Sequence, residues 1–319
     1  MTSDAEPVGT QRVAVVGTGV IGAGWTALFL ARGLDVSAWD PADGAEDRLR
    51  ADVDAAWPVL ARLGLAEGAS PDRLGFARSP EEAVADTGFV QESGPERIEV
   101  KRELFAALDA ATPAGTVIAS SSSGLLPSDL QELCREHPER VVVGHPFSPA
   151  HLIPLVEVVP GRRTDPAAAE RAVAFYESVG KVPILVRQEL PGHVTNRLQV
   201  ALWREAYALV QRGAATVADI DRAIANGPGL RWALAGPILN QHLGGGPGGL
   251  VHVLEHLGPP AEAWMDDLSA TPHLTPELVA LLVDGVGKEV SGLDQDRLRA
   301  DRDELLVDLL ERKRGRELP

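Results

Sequence analysis

Apolar and polar residues follow two different periods along this chain. The first appears at once: RVAVV (12–16) is a short β-branched run that reads as a strand. Gly17 begins a turn, Val20 to Arg32 repeats apolar residues at helical spacing, and Gly33 ends that helix. LDVSAWD (34–40) is the next strand, and further apolar runs follow at 88–91, 116–119, 140–144, 153–159 and 182–186, with helical stretches between them. Strands alternating with helices predict a mostly parallel sheet covered on both faces. After Pro191-Gly192 the strand-like runs stop. Thr216 reads as a helix N-cap, Gly227 as a C-terminal stop, and Leu293 to Leu310 as a charged amphipathic helix. The pattern predicts an α/β domain over residues 1–190 followed by an all-α domain over 191–319.

Composition supports this division, since 319 residues exceed one ordinary core. A formal charge of −16 without any basic run excludes nucleic acid and anionic membrane as expected partners. Val13 to Ala31 carries no charged side chain and approaches the length of a membrane span. Gly17, Gly19, Gly22 and Gly24 argue against a continuous helix there, since each costs about 1 kcal/mol relative to alanine. The start, MTSDAEPVGTQ, lacks the basic and apolar regions of a signal peptide, and Cys134 is the only cysteine, so no intrachain disulfide can form. A cytoplasmic protein is expected, with no metal.

The glycines of that first turn carry chemistry. Gly17-Thr-Gly19-Val20-Ile21-Gly22 follows a strand, opens a helix, and precedes Asp40 at the end of the next strand. This is the dinucleotide fingerprint of a Rossmann domain: the first glycine makes the turn, the second admits the pyrophosphate, and the third lets the helix pack closely. The helix start at Val20 and Ile21 attracts phosphate. Asp40 would accept hydrogen bonds from the adenosine ribose, and Pro41, Ala42 and Asp43 offer no cation for a 2′-phosphate, so NAD is expected over NADP.

A second constellation joins GHPFSP (144–149) to IPLVEVVPG (153–161). Glu157 would share a strand face with Ile153, Leu155 and Val159, and a carboxylate buried there needs a partner. His145 is one candidate, and the pair would form a general base with a fixed tautomer. An arginine nearby is the other, which would leave His145 as a loop residue.

Four motifs in order then give the chain a family resemblance over nearly its whole length. The glycine turn with Asp40, QESGPERIEVK (91–101), SSSSGLLPS (120–128), and GHPFSP with LVEVVPG and LPGHVTNR (190–197) resemble the 3-hydroxyacyl-CoA dehydrogenase superfamily. The resemblance implies a Rossmann domain, a helical domain through which members usually dimerise, and NAD-dependent oxidation of an L-3-hydroxy group. It implies that His145 is the catalytic base, Glu157 its partner, Ser123 and Asn196 the groups holding the reacting oxygen, and Glu96 and Lys101 contacts to NAD. Without it, Glu96 and Lys101 would read as a solvated helix face, Ser123 as a turn cap and Asn196 as a helix cap. Two departures stand out. Ser148 replaces the asparagine that commonly contacts cofactor or substrate, where a water could bridge the extra distance. The Ser-Ser-Ser-Gly tract also blurs which serine acts, with Ser122 as second choice.

QESGPER, SSSSGLLP, GPGLRWALAGP (227–237) and HLGGGPGG (242–249) resemble the branch of that superfamily containing carnitine 3-dehydrogenase and L-gulonate 3-dehydrogenase, the former more nearly. Free hydroxy acids are therefore expected before acyl-CoA esters. Arg231 could pair with a substrate carboxylate, and Trp232, Trp203 or Trp264 could face a trimethylammonium group; core packing and a surface ion pair are the plain alternatives. Other Rossmann oxidoreductases fit less well. The β-hydroxyacid dehydrogenases use a lysine that 192–196 lacks, and sugar-nucleotide dehydrogenases need a reactive cysteine, for which Cys134 in LQELCREHP is poorly placed. A non-catalytic NAD-binding structural protein is the rival from a different class, opposed by the joint presence of His145, Glu157, Ser123 and Asn196.

Overall fold

The structure, a computed structural model, describes residues 11–268 and 273–316. Most of the stretch read for a leader lies outside them. Two compact units are present, Met1–Arg197 and Leu198–Pro319.

The first unit is a single sheet of β1 (Arg12–Val16), β2 (Asp35–Trp39), β3 (Leu74–Phe76), β4 (Phe89–Glu92), β5 (Val117–Ser120), β6 (Val141–Pro146), β7 (Leu155–Pro160) and β8 (Val182–Leu185). Their order is β3-β2-β1-β4-β5-β6-β7-β8. The chain runs outward from β1 to β3 and then restarts at β4 on the other side of β1. That reversal opens a crevice at the strand ends, where open α/β sheets bind ligands. Strands β1 to β6 pair in parallel, whereas β7 runs antiparallel to β6 and β8 parallel to β7. The expected Rossmann domain is present, with one strand more than the sequence runs predicted. β3 was missed because Leu-Gly-Phe is too short to show alternation.

Among the described residues seven helices belong to or leave this unit: α1 (Val20–Ala31), α2 (Ala45–Leu63), α3 (Pro80–Val84), α4 (Ile98–Ala111), α5 (Pro127–Leu130), α6 (Pro166–Ser178) and α7 (Thr195–Gln211), the last crossing into the second unit. Alternate strand residues feed two cores. Val13, Val15, Phe89 and Val156 pack with Trp25, Phe29, Phe175 and Tyr176 of α1 and α6. Ala14, Val16, Val90, Ile118 and Val143 pack on the other face with Phe105 and Leu108 of α4. The apolar stretch 13–31 is thus strand, turn and helix, and among the described residues no helix is long and apolar enough to cross a membrane. LQELCREHP is not a helix: a 3-10 turn over Gln131–Leu133 precedes a buried Cys134.

The second unit is helical: the rest of α7, then α8 (Val217–Asn226), α9 (Pro228–Trp232), α10 (Pro237–Gly244), α11 (Gly249–Asp267), α12 (Pro276–Glu289) and α13 (Gln295–Lys313). Thr216 caps α8 in a reciprocal box with Asp219, and Gly227 ends it. The terminal helix starts two residues later than its apolar spacing suggested, because the Asp294 side chain caps it by accepting from Asp296 N and Arg297 N. Among the described residues of this unit few large apolar side chains are buried; Leu198, Leu230, Ile238, Val251, Leu254, Val283 and Leu305 are all exposed.

Candidate active site

The glycine turn has the geometry its sequence implies. Gly17 has φ +91°, donates to Trp39 O at 2.8 Å, and leaves no room for a Cβ, which would lie 2.7 Å from Gly94 N. A Cβ on Gly22 would sit 1.9 Å from Gly17 O, whereas one on Gly19 would meet only open space. No side chain caps α1 and no acid occupies its first turn, so the N–H groups at Val20 and Ile21 remain available beside that space. Asp40 Oδ2 accepts from Thr18 N at 2.8 Å and Oδ1 from Ala42 N at 2.9 Å, which fixes the carboxylate at the end of β2. This cradle fits a dinucleotide: open backbone donors for a pyrophosphate and an anchored carboxylate for a ribose diol.

Across the crevice, the reversed β7 sets Glu157 directly opposite His145 of β6. His145 Nδ1 lies 2.8 Å from Glu157 Oε2, and both side chains are buried. The arginine alternative for Glu157 is therefore set aside. The second oxygen, Oε1, accepts from Val194 N at 3.0 Å and Thr195 N at 2.8 Å. Burial alone would raise the Glu157 pKa, but the histidine and the two backbone donors outweigh it and hold the carboxyl below its ordinary range. Glu157 is ionised at neutral pH and can only accept, so the His145 nitrogen facing it, Nδ1, carries a hydrogen, and Nε2 is the ring nitrogen on the side away from the carboxylate.

The serine tract follows β5. Ser122 is buried, its Oγ donates to Glu96 Oε1 at 2.6 Å and accepts from Leu125 N at 3.0 Å. Ser123 is exposed, with its N–H on Glu96 Oε1 at 3.0 Å and its carbonyl accepting from Asn196 Nδ2 at 3.1 Å. The turn-capping hydroxyl is thus that of Ser122, and Asn196 lies inside α7 rather than capping it. Burial raises the Glu96 pKa, yet the Ser122 hydroxyl, the nearby Lys101 charge and two backbone N–H groups bring it below its usual value. Ser148 is exposed on the loop after β6, joined to Pro149 by a cis peptide bond.

Lys101 does not lie on a solvated face. It is 1 % exposed, with Nζ 2.7 and 2.8 Å from the two oxygens of fully buried Glu92, and 3.2 Å from Gly94 O. Glu92 also accepts from Ser120 Oγ and from Gly94 N, both at 2.6 Å. This ion pair braces the turn that faces Gly17. Glu92 sits inside QESGPER, and a carboxylate ending an apolar strand is the same signal that singles out Glu157.

Two other groups have clear placements. Cys134 is buried against Phe105 O and Leu130 O, and burial pushes its thiol up to about 12, which removes it as a nucleophile. Arg231 and Trp232 lie exposed on α9 in the helical unit, and Trp203 and Trp264 are exposed as well. None of these three indoles is packed in a core.

The comparisons with known proteins agree with this architecture. The family model for the 3-hydroxyacyl-CoA dehydrogenase NAD-binding domain matches residues 12–190, and that for the 3-hydroxyacyl-CoA dehydrogenase C-terminal domain matches 192–278. The chain belongs to the 3-hydroxyacyl-CoA dehydrogenase family and is an NAD-dependent hydroxy-acid dehydrogenase. It is 55% identical over 304 residues to an L-carnitine dehydrogenase of Streptomyces griseus, covering 95% of this chain and 90% of that one. An L-carnitine dehydrogenase of Bacillus cereus is 47% identical over 301 residues, covering 94% and 92%. Among solved structures, 5-formyl-3-hydroxy-2-methylpyridine 4-carboxylic acid 5-dehydrogenase, described as an NAD+-dependent dismutase, superposes with a TM-score of 0.83 at 28% identity, covering 96% of this chain and 99% of that one.

Proposed function

We propose that this enzyme oxidises the 3-hydroxyl of L-carnitine to the 3-keto product, with His145 as the general base. The 2.8 Å His145–Glu157 pair carries the reading of the chemistry, because it gives one imidazole nitrogen a fixed carboxylate partner and leaves the other, on the far side of the ring, for a substrate. His145 Nε2 takes the substrate hydroxyl proton, and Glu157 stabilises the resulting imidazolium. The exposed Ser123 hydroxyl and the second N–H of Asn196 hold the reacting oxygen, while the hydroxyl of Ser122 is engaged by Glu96 and keeps the loop in shape. NAD, when bound, supplies the hydride acceptor. Gly17, Gly19 and Gly22 admit it, Val20, Ile21 and Asp40 hold it, Ser148 flanks it, and Glu96 and Lys101 act on it through the loops they brace.

The choice of carnitine rests on the relatives, and the chemistry of the helical unit is compatible with it. Arg231 offers a guanidinium for a carboxylate, and Trp232 an indole face for a trimethylammonium group. An NAD-reduction assay with L-carnitine, L-gulonate and 3-hydroxybutyryl-CoA tests the assignment. L-Carnitine is expected to give the highest kcat/KM; a preference for the CoA ester would reverse it.

The protein acts as a homodimer through its helical unit in this reading. A groove of about 470 Å³ among α7, α8 and α12 is lined by Trp203, Tyr207, Val217, Ile220, Leu282 and Val286, and it adds to the exposed apolar residues of that unit. A surface this apolar is characteristic of a face covered by another chain. Sedimentation equilibrium should give twice the chain mass of 33.8 kDa. A monomer at micromolar concentration would remove the proposal.

A further inference from the structure

His193 is a buried histidine for which the mechanism above has no use. It follows Gly192 (φ +75°) and itself has φ +51°, a left-handed conformation that a non-glycine residue adopts only at a cost. Two successive left-handed residues reverse the chain, and the N–H groups of the next two residues, Val194 and Thr195, are those that grip Glu157. The ring of His193 is 0 % exposed and lies 5.4 Å, centroid to centroid, from that of His145. Its Nε2 is 3.2 Å from the carbonyl oxygen of Ser122, and its Nδ1 is buried with no partner.

These facts fix its protonation. The Ser122 carbonyl can only accept, so Nε2 carries the hydrogen and Nδ1 is a bare lone pair. Burial, and then the neighbouring His145, push the His193 pKa down despite the opposing pull of the Ser122 carbonyl, Glu157 and Glu96. The ring is neutral where His145 must gain a proton. As packing material alone it is a poor choice, because an unmet buried nitrogen is destabilising and a phenyl ring would fill the same space.

We propose that His193 is a positioning residue that sets the spacing between the substrate-holding serine loop and the catalytic base. One edge of its ring holds the backbone of Ser122, and with it the Ser123 hydroxyl one residue on. Its own backbone begins the turn that fixes Glu157, and through it His145. A single side chain thereby joins the two groups that must meet on one hydroxyl. This rests on Ser123 and His145 acting on that hydroxyl.

His193→Phe and His193→Gln separate the alternatives, since glutamine restores a donor that can reach the Ser122 carbonyl and phenylalanine does not. With L-carnitine and NAD, the phenylalanine variant should lose roughly 10–100-fold in kcat with NADH affinity unchanged, as expected for a misplacement of about 1 Å. The glutamine variant should recover most of it. Hydrogen exchange by mass spectrometry gives a second measure that needs no substrate: peptides spanning 121–126 should exchange faster in the phenylalanine variant and near the wild-type rate in the glutamine variant. Equal kcat in wild type and phenylalanine variant, equal impairment of both variants, or unaltered exchange would each overturn the proposal. Wild-type enzyme inert toward L-carnitine would instead overturn the substrate assignment, and exchange would still decide the role of His193.

Discussion

Replacing His145 by glutamine is expected to lower the turnover of hydroxy-acid oxidation by about 10²–10⁴-fold while NADH binds as before. Glutamine is close in size and can still donate to Glu157, so the ladder between β6 and β7 survives. What it lacks is a nitrogen able to take a proton and hold it as a cation. Glycine turn, Asp40 and α1 are untouched, and a fluorescence titration with NADH should give the wild-type affinity. Steady-state kcat measured alongside then isolates proton removal from cofactor binding. Turnover within about tenfold of wild type would mean that another group is the base.

Lys101→Met is expected to have the largest effect on stability. The Lys101–Glu92 pair is almost entirely removed from water, and deleting the ammonium leaves a carboxylate with only Ser120 Oγ and Gly94 N for compensation. Breaking a buried pair from one side typically costs about 3–5 kcal/mol. For a protein of this size that corresponds to a fall in Tm on the order of 10 °C. Adding Glu92→Gln to Lys101→Met should restore much of the loss, because the unpaired buried charge is then gone. Calorimetry of the wild type, both single variants and the double variant closes the cycle. A melting temperature unchanged to within about 2 °C in Lys101→Met would show that the pair is dispensable.

Strands and glycines were legible because each rests on local pattern: β-branched runs, helical spacing, and backbone positions that admit no side chain. The direction of β7 was not, since a six-residue run looks the same whichever way it is threaded, and only its neighbours decide. The same limit applies to Lys101. Alone on a helix it reads as solvated, and its burial follows from Glu92 on a strand that the fold brings beneath it. That Glu96 engages the hydroxyl of Ser122 rather than Ser123 depends on a contact between distant parts of the chain, which spelling does not show. His193 falls inside LPGHVTNR, a motif that carries the family resemblance, and nothing in its spelling reveals a left-handed backbone or a buried ring. The helical unit was readable as helices, but a sequence of amphipathic turns does not say whether the apolar faces meet each other or remain open.

The reversal of β7 has a consequence for how such enzymes can diverge. In an antiparallel ladder, slipping the register by one residue would turn Glu157 to the opposite face of the sheet, so the His145–Glu157 pair is either assembled or absent, with no graded intermediate. Residues 147–154, which link the two strands, are tied down elsewhere: Ala150 and Leu152 are buried and the carbonyls of Ala150 and Ile153 accept from Lys181 Nζ, whereas Ser148 is exposed. Descendants of one ancestor can therefore vary the exposed Ser148 position freely, while the facing pair of side chains is kept or lost as a unit.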